Sequence, residues 1–159
     1  EGIPTLEQVV IACPNVSHWQ FEIKTETSNI QFIQPMHQLI KKFSLEDKVT
    51  ITSKHIGILE AFKQNMPDIP RGFVHDWSRS NGISIARRLE CAMLILNKNI
   101  ARKKYIKKAK DAGLHISVWT VNNSNDMVRF LRYQADSIIS DFPQAANEVI
   151  TPLLKGNED

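Results

Sequence analysis

The feature that most constrains this chain is a repeated switch between two hydrophobic periods. Short apolar or strictly alternating segments recur at 19–24, 49–53, 71–75, 91–96, 116–121 and 136–140, and the stretches between them carry apolar residues at helical spacing. Trp19, Phe21 and Ile23 alternate with Gln20, Glu22 and Lys24, which predicts a strand with one polar face. Residues 91–96 form an unbroken apolar run of the length expected for a buried parallel strand.

Helix signals fill the gaps. Thr5 and Gln8 make a capping-box pattern ahead of Leu6, Val9, Val10 and Cys13, and Pro14 ends that stripe. A helix is expected between Ile30 and Phe43 with Pro35 in its first turn. Ile58, Leu59, Phe62 and Met66 mark another, and 83–89 has room for one or two turns. A lysine-rich helix runs from an N-cap at Asn99 to a stop at Gly113, and Asn123 or Ser124 caps the one holding Met127, Phe130 and Leu131. A last helix is expected over 144–154.

Strands separated by helices demand parallel pairing through helical crossovers, so the fold class is α/β. No glycine-rich phosphate loop follows any strand, which excludes a dinucleotide-binding or P-loop fold. A (β/α)8 barrel takes ~250 residues. The 159 residues here then correspond to one domain, 1–159, holding about five strand–helix units of an incomplete barrel.

Composition narrows the function. Apolar runs such as 92–96 fall far short of the ~20 residues of a membrane-spanning helix, and no charged segment followed by an apolar one opens the chain, so a cytoplasmic location is expected. Cys13 and Cys91 form no C-x-x-C pair and read as buried small hydrophobes. The net charge of +3 comes mostly from Arg102, Lys103, Lys104, Lys107, Lys108 and Lys110. Ile100, Tyr105, Ile106, Ala109 and Ala112 interleave with them, which predicts the solvated side of an amphipathic helix and not a nucleic-acid surface.

Catalytic residues of a (β/α)8 barrel project from the C-terminal strand ends. Those positions hold Glu22, Lys24, Ser53, His75, Asp76, Trp119, Asn122, Ser140 and Asp141. Glu22 and Lys24 share the face opposite Trp19, Phe21 and Ile23. A carboxylate there suits a hard divalent cation and an ammonium suits a phosphate oxygen, while the alternative is an internal ion pair.

Four segments carry a family resemblance, in order. Ile3-Pro4-Thr5-Leu6-Glu7, Phe21-Glu22-Ile23-Lys24, Ala112-Gly113-Leu114 leading to Val118-Trp119-Thr120-Val121-Asn122, and Ala135 through Pro143 together resemble the glycerophosphodiester phosphodiesterases. The resemblance implies a (β/α)8 TIM barrel of which this chain is the C-terminal portion, and a phosphoric diester hydrolase that releases glycerol 3-phosphate and an alcohol with a divalent cation, Mg or Ca. It implies that Glu22 is a metal ligand, Lys24 a contact to the substrate phosphate, and Trp119 an aromatic wall for the glycerol end. Ser53 stands where the family has Ser-Ser-Phe, but Lys54 follows it here.

The family's His-Arg-Gly, Glu-x-Asp and His-Asp strands precede the Ile-Pro-Thr-Leu segment, and none lies in this chain. His75-Asp76 repeats one dipeptide out of order. The resemblance therefore implies an enzyme as parent and no catalytic residue in this chain, which alone is expected to be inactive. Its expected partners are a small glycerophosphodiester, no nucleic acid, and either the missing N-terminal barrel segment or a second copy of the chain. The alternative is a non-catalytic binding protein on a degenerate barrel.

Overall fold

The computed structural model describes residues 2–25, 30–76 and 81–155. They fall into two compact units, one ending at Arg71 and the other beginning at Gly72.

The first unit runs α1 (Leu6–Ala12), β1 (Trp19–Glu22), α2 (Ile33–Lys42), β2 (Val49–Ser53) and α3 (Ile56–Asn65). At 7 residues, α1 is too short to persist on propensity alone, and the expected capping box supports it. The Thr5 hydroxyl accepts from the Gln8 amide at 3.2 Å, and the Gln8 side chain accepts from the Thr5 amide at 2.8 Å. Pro35 sits within the first turn of α2, where a missing N–H costs no helical bond.

β1 and β2 pair in parallel, with Trp19 beside Val49 and Phe21 beside Ile51. Phe21, Val49 and Ile51 join Val10, Ile33, Ile40, Ile58 and Phe62 in one core, and Trp19 and Ile23 pack against it. Each such side chain, fully buried, contributes roughly 1.5–3 kcal/mol. Period two then leaves Gln20 and Glu22 on the face turned away from the helices.

The second unit contains β3 (Arg71–His75, its first residue belonging to the first unit), α4 (Gly82–Arg88), β4 (Met93–Asn97), α5 (Lys103–Asp111), β5 (His115–Trp119), α6 (Ser124–Arg132), β6 (Ser137–Ile138) and α7 (Pro143–Lys155). The strands β3 to β6 pair in parallel in chain order, aligning Val74, Ile95, Ser117 and Ser137. Val74, Met93 and Ile95 form an apolar cluster on one face. Leu94, Leu96, Ile116 and Val118 alternate with them and are buried, as are Ile106 of α5 and Phe130 of α6.

Among the described residues six segments form strands, where about five units were expected. Two local expectations also change. The lysine-rich helix begins at Lys103 with Arg102 as its N-cap, because Asn97 captures the preceding turn. The Asn97 side chain accepts from the Asn99 amide at 3.0 Å, and its carbonyl accepts from the amides of Ile100 and Ala101. Gly113 ends that helix with φ 80°, as a left-handed stop requires. Cys91 is buried, but Cys13 is exposed, since it caps the short α1 at a position its core-facing stripe does not cover. Among the described residues no helix is long and apolar enough to cross a membrane.

Candidate functional site

The exit of β1 is fixed from behind by the main chain. The Ile23 amide donates to the Thr52 carbonyl at 2.8 Å, and the Ser53 hydroxyl donates to the Ile23 carbonyl at 2.7 Å while accepting from the His55 amide at 3.1 Å. Ser53 is fully buried, and both bonds of its hydroxyl are to backbone, so it fastens the two strand exits and does not line a ligand site.

On that framework Glu22 and Lys24 stand side by side, with Lys24 Nζ 3.7 Å from Glu22 Oε2. Their side chains are 42% and 79% exposed, so the pair adds little to stability and both charges remain open to a ligand. Lys54 is also exposed.

His55 was not singled out by pattern, because a lone histidine two residues past a strand carries no distinctive spacing. It is the N-cap residue of α3 without a side-chain cap bond, and its Nε2 is buried with no hydrogen-bond partner.

In the second unit Trp119 ends β5 beside Asn97 of β4. Its ring packs against Val74, Met93 and Ile95, the face opposite Ile116 and Val118, and its indole Nε1 is buried without a hydrogen-bond partner. The polar residues that follow are committed to one another. Asn122 donates to Asp141 Oδ2 at 2.7 Å, and its side-chain oxygen accepts from the Ser140 hydroxyl at 3.2 Å and from the Asp141 amide at 3.0 Å. Ser140 Oγ also accepts from the Phe142 amide at 3.1 Å.

His75 is buried, with its ring stacked on Phe73 and its Nδ1 3.4 Å from the Tyr105 hydroxyl of α5. Burial pushes the Tyr105 hydroxyl above its usual pKa, against hydrogen bonds with the backbone of Ile83 and Gly82 that pull it down. His75 thus faces helix α5, while the adjacent Asp76 is exposed. The dipeptide does not act as a unit.

A divalent cation wants about six or more oxygen ligands. Among the described residues no group of three or more His, Cys, Asp or Glu stands close enough to hold a metal. Glu22 fits as one ligand and the described residues do not complete the set.

The decisive comparison is by sequence: the Glycerophosphoryl diester phosphodiesterase family matches residues 2–145. The chain belongs to that family. No curated protein sequence matches the chain. Among solved structures, a phosphodiesterase from Oleispira antarctica, in complex with the product sn-glycerol-3-phosphate, aligns with a TM-score of 0.83 at 20% identity over 94% of this chain and 62% of its own. A glycerophosphodiester phosphodiesterase from Parabacteroides distasonis aligns at 0.81 and 19% identity over 95% and 65%. A protein of Silicibacter pomeroyi aligns at 0.84 and 15% identity over 94% and 57%. These likenesses give the fold as α/β, a portion of the (β/α)8 barrel class, and the chain spans less than two thirds of the length of each.

Proposed function

We propose that this chain is part of a metal-dependent phosphodiesterase that hydrolyses glycerophosphodiesters to glycerol 3-phosphate and an alcohol. Membership of the family over residues 2–145 supports the reaction class. The observation that carries the reading is the exposed Glu22 and Lys24 pair, side by side at the exit of β1. In this reading Glu22 contributes one carboxylate to Mg or Ca, and the Lys24 ammonium meets a phosphate oxygen. Trp119 forms a wall for the glycerol end. The substrate is a small molecule and no nucleic acid takes part, and the location is cytoplasmic.

General acid–base help from histidine is worth typically 10²–10⁴-fold. His18 precedes β1, His37 lies in α2, His115 opens β5 and His75 faces α5. Among the described residues His55 follows the C-terminal end of β2 with a buried ring nitrogen that has no hydrogen-bond partner. The 159-residue chain alone is therefore inactive in this proposal, and the histidines and remaining cation ligands come from a further barrel segment or a second copy.

The test is release of glycerol 3-phosphate from glycerophosphocholine with added magnesium or calcium, by the chain alone and with a barrel segment supplied in trans. The expected result is turnover only in the completed protein, lost in Glu22→Gln and weakened in substrate affinity by Lys24→Ala. Turnover by the chain alone that disappears in His55→Ala would overturn the assignment of the acid–base groups. A completed protein indifferent to both Glu22→Gln and Lys24→Ala would overturn the site.

A further inference from the structure

Lys98, Asn99, Arg102, Lys103, Arg129 and Tyr133 line a cavity of about 310 Å³ in the second unit. The sequence pattern assigned the basic run to a solvated helix face, and farther along α5 that holds, because Lys107 pairs with Asp111 and Lys110 with Asp136. Arg102 and Lys103 differ. Neither they nor Lys98 has an ion pair among the described residues, and no carboxylate lines the cavity.

Two features hold the lining in place. Arg129 is oriented by Asp126 at 2.8 Å and by the Phe130 ring, whose centroid lies 4.6 Å away. Asp126 is itself engaged by the Asn123 side chain at 2.9 Å, so it is a strut for the guanidinium. The Asn97-centred turn fixes residues 98–101, and the Lys98 amide donates to the Trp119 carbonyl at 2.8 Å.

Three cations without an ion pair, Lys98, Arg102 and Lys103, share one concavity with the Asp126-bound Arg129, and an anion placed among them offsets the repulsion between the unpaired charges. Guanidinium forks and ammonium groups match the oxygens of a tetrahedral phosphate, and a tyrosine hydroxyl and an asparagine amide add neutral donors. We propose that this cavity binds a phosphomonoester dianion, either free in solution or as a lipid headgroup. The inference goes beyond the hydrolase reading, and its test involves no turnover.

The chain is titrated calorimetrically with inorganic phosphate and with glycerol 3-phosphate at low ionic strength, and sedimented with phosphatidylcholine vesicles with or without phosphatidic acid. Arg102→Ala and Lys103→Ala each weaken binding about tenfold, the usual worth of one charged hydrogen bond, and salt weakens it further. Lys107→Ala, on the same helix but paired with Asp111, leaves it unchanged. Thermal melts establish that the variants are folded. Binding of glycerol 3-phosphate that follows these substitutions identifies a free phosphomonoester, whereas binding only to phosphatidic acid vesicles with the same dependence identifies a headgroup. No binding in either arm, or binding that survives the double Arg102→Ala, Lys103→Ala change, overturns the proposal. Binding removed by Lys24→Ala instead belongs to the β1 exit and overturns it equally. A failed hydrolysis assay leaves these results untouched.

Discussion

The β1 and β2 exits and the β5 and β6 exits solve the same problem in opposite ways. At the first, a buried hydroxyl bonds the main chain, and the charged side chains of Glu22 and Lys24 stay exposed and loosely paired. At the second, main-chain bonds join Val121 to Ile139 and Ile139 to Val118, and the exposed polar side chains of Asn122, Ser140 and Asp141 bond one another. A fastening hydroxyl that is itself buried leaves the exposed side chains beside it available for ligands. The charges at the first exit are only loosely paired, whereas the polar groups at the second are committed to one another.

The largest test concerns the cores behind the exits. Phe62 and Phe130 are both fully buried, and replacing either with Ala is expected to cost about 3–5 kcal/mol in urea unfolding. A loss below about 1 kcal/mol at either position would mean that its exit does not rest on that core.

Next is Gly82 at the start of α4. A Cβ there would lie 2.3 Å from His75 Nδ1, and that ring is held between Phe73 and Tyr105. Gly82→Ala is expected to destabilise by about 1–3 kcal/mol, with partial recovery in the double variant with His75→Ala. Recovery is the diagnostic reading, since a helix-propensity effect alone would favour Ala.

Asn122→Ala removes three hydrogen bonds at the β5 and β6 exits and should cost about 1–2 kcal/mol, with a shift in tryptophan fluorescence. Equal costs at Asn122 and Lys24 would erase the contrast between the two exits.

A smaller effect belongs to Asp136, whose carboxylate takes hydrogen bonds from Lys110 and the Ile116 amide. Burial alone would raise its pKa, but those bonds and the charges of Lys110 and His115 bring it below its ordinary 3.8. A depressed folded pKa contributes stability above the unfolded value, and that contribution is lost as pH falls through the folded one. Asp136→Asn should cost under about 1 kcal/mol at pH 7, and the difference from wild type should close below about pH 4.

Smallest of all, Glu22→Gln and Lys24→Ala should each move stability by no more than about 0.5 kcal/mol. A larger loss would make the pair a structural ion pair and remove its claim to a ligand.

Much of this was legible in the sequence because it depends on local period. The recurring short apolar and alternating segments marked where the strands lie, although they were counted as about five units, and alternation put Glu22 and Lys24 on the face away from Phe21. Strand-end chemistry was less legible because it depends on contacts between exits distant in sequence. The two bonds of Ser53 reach Ile23, thirty residues earlier, and His55, and no local pattern distinguishes such a serine from one that meets a ligand. The helix-facing ring of His75 depends on Tyr105 in the same way. The start of α5 was missed because Asn97, not Asn99, supplies the turn.

Ser53 also bears on which neighbouring position is free to change. Its hydroxyl meets the structural needs of the β1 and β2 exits within one buried position, so the exposed residue after it carries no fastening duty. Lys54, which follows it, is where the resemblance to the Ser-Ser-Phe segment breaks off. The residue that folds the strand exits is thus separate from the exposed one beside it, and a substitution at position 54 is expected to leave the strands beneath it unchanged.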